Sequence, residues 1–418
     1  MNILIKSAKI IDVTSKHHLK RQDILIENGK ISAVATKIEN KNNYKEILFK
    51  NLYVSIGWFD TSVSFGEPGY EERETIANGL LVAAKSGFTA VAVNSNTQPY
   101  IDNKSAVEFL IHKAIKNATS LYPIGSLSKQ SKGKELAELY DMQQSGAIAF
   151  GDYNAPISNA NLMKIALQYA QNFNGLVLSF PQDETISNHA HANEGKQSTM
   201  LGLKGNPVLA EELQIARDLS LLEYTGGKLH IPTITTAKSV RLIAAAKKKG
   251  LDVSCSVSVH HLFLTDKLLE TFDSNYKVSP PLRTDSDVKE LLKGVKNGTI
   301  DMICSDHNPI DIEHKRTVFE NAMYGTIGLE SFFGALHKVL TVEEIIKAIT
   351  INPRSRFHIE NPTISIGEKA NLTLFTPDGS YTFTEENILS TSKNSAFIGK
   401  QLQGKVYGIF SNNKLILH

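Results

Sequence analysis

Apolar and polar residues change rhythm twice along this chain. Over the first 55 residues the apolar runs are short and β-like: Ile3-Leu4-Ile5, Lys9-Ile10-Ile11-Asp12-Val13, Asp23-Ile24-Leu25-Ile26 and Lys30-Ile31-Ser32-Ala33-Val34, with Glu27-Asn28-Gly29 as a turn between two of them. Strand and helix signals then alternate. Trp58, Phe59, Val63 and Phe65 supply β-forming bulk ahead of the turn Pro68-Gly69. Ile76, Leu80, Leu81, Ala83 and Ala84 recur at helical spacing up to Gly87, and Phe88 to Val93 reads as the next strand. Further strands are predicted at 120–124, 146–150, 175–180, 228–231, 252–257 and 301–305, and helices at 105–117, 159–171, 207–224, 237–249, 285–296 and 342–350. Short strands return at 370–375, 405–410 and 414–417, with Asn412-Asn413 as a turn.

Such alternation predicts a parallel sheet with crossover helices, and eight strands would close it into a barrel. The expected fold class is therefore α/β: a (β/α)8 TIM-type barrel over residues 56–360. A small β-sandwich domain is expected beside it, built from both chain termini, 1–55 and 361–418. In barrels of this kind the chemistry sits at the C-terminal ends of the strands.

Composition narrows the function classes. The 418 residues suit one barrel plus a small companion. With 45 basic and 43 acidic residues the formal charge is +2, so neither nucleic acid nor an anionic membrane is an expected partner. No signal peptide is visible and no apolar run approaches the ~18 residues of a membrane helix, which makes a cytoplasmic protein the expectation. Cys255 and Cys304 are too few for a disulfide framework and read as reduced core residues, while Lys247-Lys248-Lys249 reads as a solvated helix end.

Glu67-Pro68-Gly69, Glu74-Thr75-Ile76, Gly87-Phe88-Thr89, Asn96-Thr97-Gln98-Pro99, Pro280-Pro281-Leu282-Arg283 and Thr350-Ile351-Asn352-Pro353 together resemble bacterial type I dihydroorotase. That family consists of metal-dependent amidohydrolases, hydrolases of pyrimidine biosynthesis. Gly367-Glu368-Lys369-Ala370-Asn371-Leu372 resembles the family's return into its β-domain, so the resemblance spans essentially the whole chain. It implies a zinc centre at the barrel mouth, held by a His-x-His pair, two further His and two aspartates. At those positions this chain has Ser62, Ser64, Phe180 and Thr233 for the four His, and it keeps Asp152 and Asp306. The resemblance makes Asp306 the general-base position and Asn96 a substrate-binding position. Other substrate positions have changed: Gly66 stands for an Arg, Ser279 for an Asn, Ile310 for a His and Tyr324 for a Pro.

A neutral hydroxyl is a poor zinc ligand, and two carboxylates fall short of the three protein ligands that a catalytic zinc takes. The metal's task is to lower the pKa of its bound water from 15.7 to about 7, and without it Asp306 has no activated water to deprotonate. Among the 13 histidines, His189, His191, His230, His260, His261 and His307 read as loop or core residues. Ser62, Ser64 and Thr233 are expected to form one hydrogen-bonded network with Asp152 and Asp306 in place of the metal. The reading is a noncatalytic, dihydroorotase-like pseudoenzyme with no cofactor bound. It would act as a homo-oligomer or as a structural partner of aspartate transcarbamoylase, as some relatives of the family do. The alternative is an active dihydroorotase or related cyclic amidohydrolase with an altered site around Asp152, Asp306 and His307. A third reading, from Phe180, Ile310 and Tyr324, is a pocket for an uncharged ring.

Overall fold

The computed structural model describes residues 1–418. Its barrel consists of eight parallel strands: β1 (Trp58–Val63), β2 (Phe88–Val93), β3 (Ser120–Gly125), β4 (Ala149–Phe150), β5 (Val177–Leu178), β6 (Leu229–Ile231), β7 (Val253–Ser258) and β8 (Met302–Cys304). Each strand pairs with the next in sequence order. The ring closes just beyond β8, where Val63 bridges to His307 and the Ser64 amide donates to the His307 carbonyl at 2.7 Å. Both faces of these strands are covered: every residue of β1, β2 and β7 is buried, whether the run is apolar, as in Phe88–Val93, or alternates with small polar residues, as in Val253–Ser258. Several are shorter than those runs. Gly146, for instance, lies at φ +108°, a turn conformation, and the ladder of β4 begins only at Ala149.

Helices lie close to where the periodicity placed them, at Ile76–Lys85, Lys104–Ala114, Ala160–Ala170, Val208–Thr225, Ala237–Lys248, Asp285–Lys296 and Val342–Ile349. Polar caps explain the agreement at their starts. Thr75, Asn103, Asn159, Thr236, Thr284 and Thr341 each accept a hydrogen bond from a first-turn amide, which satisfies a donor that the helix itself leaves free. In the lysine run at the end of one helix only the first residue departs from expectation. Lys247 is half-buried and donates to Asp301 at 2.6 Å, while Lys248 and Lys249 are exposed, Lys249 in a surface pair with Glu223 at 3.1 Å, so the last two fit the description "solvated".

The two chain ends form one further sheet. Strands Ile3–Ile11, Arg21–Glu27, Lys30–Ala35, Lys45–Ile47 and Tyr53–Ile56 join Leu372–Thr382, Gln401–Ser411 and Lys414–Leu417, with Tyr53–Ile56 running antiparallel to Leu372–Phe375 at the junction. Ile3, Ile5, Ile10, Ile24, Ile26, Leu372 and Phe410 belong to its separate core. The architecture is thus a TIM barrel with a β-sandwich domain. Trp58 fastens the two together, its ring centroid 5.3 Å from that of Phe333 and 5.5 Å from that of Phe375. Gly57 makes the approach possible, since a Cβ there would lie 2.0 Å from Asn371 Oδ1 and 2.1 Å from Thr89 Oγ1. No helix is long and apolar enough to cross a membrane.

Candidate functional site

Alternation along β1 sends Asp60 and Ser62 to one side of the strand, and Ser64 follows just past its end. All three are buried at the barrel mouth. Ser62 Oγ donates to Asp306 Oδ1 at 3.0 Å, and Tyr153 donates its hydroxyl to the same oxygen at 3.1 Å. Asn94 Nδ2, just past the end of β2, reaches Ser62 Oγ at 3.1 Å and Ser64 Oγ at 3.3 Å. Ser64 Oγ in turn donates to Asn96 Oδ1 at 3.0 Å. Asp60 accepts the Ser62 amide at 3.2 Å and the Ser305 amide through both carboxylate oxygens, also at 3.2 Å.

Asp152 stands apart from this relay. It accepts the Leu127 amide at 2.7 Å, the Ser128 amide at 3.0 Å and the Ser128 hydroxyl, all from the loop after β3. Thr233 joins neither cluster through its hydroxyl. At φ +48° it contributes its amide to Ser256 Oγ at 3.3 Å. The single network expected from sequence is therefore two, because Asp152 turns toward the β3 loop and Thr233 turns its backbone, not its side chain, into the hydrogen-bonding scheme. Three contributors went unread in the sequence: Asp60, Asn94 and Tyr153. Asp60 carried a usable signal, since it shares strand parity with Ser62.

Burial dominates the electrostatics. It raises the carboxyl of Asp60 to about 7, with the nearby charge of Asp306 adding to the effect and the Ser305 and Ser62 donors opposing it. Asp306 is raised to about 6 by burial, against the hydrogen bonds from Ser62 and Tyr153, and Asp152 to about 6, against those from the β3 loop. The Tyr153 phenol is pushed well above its ordinary value, first by burial and then by the charge of Asp306.

Two cavities meet here. A narrow one of about 20 Å³, lined by Ser62, Asn94, Asp152, Tyr153, Phe180, Thr233 and Asp306 among others, lies at the level of the carboxylates. Above it an open cleft of about 560 Å³ is lined by Tyr70, Arg73, Asn96, Lys277, Ile310 and Tyr324 with other residues. Phe180 therefore belongs to the narrow cavity while Ile310 and Tyr324 belong to the cleft, so the three do not form one apolar pocket. At Gly66 the chain leaves no room for a side chain, because a Cβ would lie 1.8 Å from the Tyr70 carbonyl oxygen.

The histidines are dispersed. His230 lies in the barrel interior, 2.8 Å from Ser254 Oγ and 3.2 Å from Ser256 Oγ, and burial holds its ring neutral by lowering its pKa. His307 accepts the Gly328 amide at 3.3 Å, and burial lowers it to about 4. His260 and His261 are buried, as core residues, on a short helix, Val259–Phe263, with ring centroids 4.4 Å apart. His189 and His191 reach the rim of the open cleft. Nowhere do three or more His, Cys, Asp or Glu side chains gather in a metal-binding arrangement. The donor set at the mouth consists of carboxylates already occupied by hydroxyls and amides, so it does not fit zinc.

A family model described as "Dihydro-orotase-like" matches residues 53–239. The chain is 37% identical over 423 residues to a dihydroorotase of Pelotomaculum thermopropionicum, covering 100% of this chain and 99% of that protein. It is 40% identical over 413 residues to a dihydroorotase of Ruminiclostridium cellulolyticum, covering 97% and 96%. In architecture it is similar to the L-hydantoinase of Arthrobacter aurescens, with TM-score 0.87 at 21% identity over 100% of this chain and 96% of that one. The dihydropyrimidinase of Brevibacillus agri NCHU1002 follows at TM-score 0.85 and 19% identity, covering 100% and 95%.

Proposed function

The chain belongs to the dihydroorotase family, amidohydrolases of pyrimidine biosynthesis, and from that premise we propose that it is a noncatalytic member acting by association. One observation carries the reading: Asp306, at the general-base position, is held by two hydroxyls inside a cavity of about 20 Å³. Such a space holds roughly one water, whereas ligand pockets run to about 300–1,000 Å³. Tyr153 lines both this space and the open cleft and already donates to Asp306 Oδ1, so a ring substrate in the cleft would have to displace it to reach that carboxylate. Gly66 adds support, because the backbone closes the position where the family's carboxylate-binding Arg would stand. The residues present hold protons and hydrogen bonds, and no reaction step is built on them. In this reading the protein works as a homo-oligomer or as a structural partner of aspartate transcarbamoylase, in the cytoplasm, with no metal bound.

The test is dihydroorotate ring opening and closure by the purified chain with zinc supplied, beside an Asp306→Ala variant and an active dihydroorotase. No turnover by either form is the expected result. Turnover abolished by Asp306→Ala would overturn the proposal. One observation favours that second reading of an active cyclic amidohydrolase: a carboxyl raised to about 6 is suited to general-base work near neutral pH. Size-exclusion chromatography with light scattering, on the chain alone and mixed with aspartate transcarbamoylase, tests the association. A monomer in both runs would sink it.

A further inference from the structure

Asp152, Tyr153 and Asn154 line both the narrow cavity and the open cleft, so this short segment is the wall between them. Tyr153 spans that wall. It is half-buried, its backbone lies at φ +49°, and its hydroxyl crosses to Asp306 Oδ1 at 3.1 Å. The left-handed conformation is one that an aromatic residue rarely adopts, and such strain persists where surrounding contacts hold it. A metal bound to a carboxylate sits about 2.0–2.2 Å from the oxygen, in the space that the hydroxyls of Ser62 and Tyr153 share beside Asp306. Changing the four replaced ligand positions would clear Ser62 from that space. It would leave Tyr153.

We infer that Tyr153 is the residue that shuts the barrel mouth against both metal and ligand, a lock separate from the missing histidines. The inference rests on the noncatalytic reading only in taking the mouth of the native chain to be closed. It makes two independent demands. The first concerns access. In the native chain Asp306 should resist labelling by a water-soluble carbodiimide with glycine ethyl ester, read by peptide mass spectrometry. Tyr153→Gly removes the phenol and suits the left-handed backbone, so labelling of Asp306 should rise by on the order of tenfold, as for an opened site. Added phenol, filling the gap, should lower it again. Tyr153→Phe keeps the ring and should stay protected.

The second demand concerns metal. A Ser62→His, Ser64→His, Phe180→His, Thr233→His variant should take up almost no zinc, measured by plasma mass spectrometry after dialysis. The same variant with Tyr153→Gly should hold about one zinc or more per chain. Equal labelling of Asp306 in the native chain and Tyr153→Gly would overturn the proposal, as would full zinc uptake with Tyr153 in place. The labelling arm uses single substitutions, so it decides the matter even if the fourfold variant fails to fold. Turnover by the native chain that depends on Asp306 would remove the noncatalytic reading and the closed mouth together, whereas labelling of Asp306 in a native chain without turnover would remove the lock alone.

Discussion

Asp60, Asp152 and Asp306 are buried at the barrel mouth among hydroxyls and amides, with no cation in ion-pair contact, whereas Glu211 and Asp218 are buried on the helix Val208–Thr225 each facing an arginine. Asp218 meets Arg217 at 2.7 Å and also takes Ser179 Oγ at 2.6 Å. Glu211 faces Arg283 at 3.9 Å and accepts Ser239 Oγ at 2.6 Å and the Thr235 amide at 2.8 Å. Burial raises the pKa of all five carboxyls, but only on the helix does an arginine oppose it. On this helix the chain's own arginines balance the buried charge, whereas at the mouth only hydroxyls and amides do.

Breaking the balanced side should have the largest effect. Arg283→Met strands Glu211 in the interior, and urea unfolding should show a loss of about 3–5 kcal/mol. A loss under about 1 kcal/mol would mean that the hydroxyls and amides around Glu211 suffice, and the contrast would collapse.

The unbalanced side should reveal itself through pH. Asp60 at about 7 and Asp152 and Asp306 at about 6 lie above the ordinary carboxyl value, so the folded chain holds these protons more tightly than the unfolded one. Their contribution to stability is complete below about pH 4 and is lost as pH rises through 6 to 7. Each displaced group represents on the order of 3 kcal/mol across that window. Asp60→Asn should flatten the urea-midpoint curve between pH 5 and 8. A curve as steep as that of the native chain would show that Asp60 titrates normally.

Ser62→Ala sharpens the comparison further, since it removes one of the two hydroxyls on Asp306. At pH 8, with the carboxylate charged, the cost should be about 1.5–3 kcal/mol, and it should shrink toward that of a neutral hydrogen bond at pH 5. An equal cost at both pH values would contradict a titrating Asp306. The smallest effect belongs to Asn96→Ala at the cleft rim, where one hydrogen bond from Ser64 is lost for about 0.5–1.5 kcal/mol, with no dependence on pH.

The scaffold was legible because its signals are local. A threonine or asparagine cap followed by a helical apolar period marks Ala237–Lys248 or Val342–Ile349 without help from the rest of the fold. The mouth was legible only in its inventory. Ser62, Phe180, Thr233, Asp152 and Asp306 do lie around one small space, with Ser64 beside it against Asn94 and Asn96, but which of them touch depends on residues hundreds of positions apart and on two left-handed backbones, at Thr233 and Asp306. Tyr153 shows the limit. It follows Asp152 directly, yet strand parity gives no hint that a left-handed turn sends its hydroxyl inward to Asp306.

The terminal sheet has a consequence for synthesis. Tyr53–Ile56 is complete early, but the strand that covers its free edge, Leu372–Thr382, emerges only after the whole barrel has been made. At ~5–20 residues per second that interval lasts roughly 15–60 s. Throughout it the nascent chain carries an unpaired strand edge of the kind that recruits other chains. The ribosome-bound state, more than the finished protein, is where this fold needs a chaperone's cover.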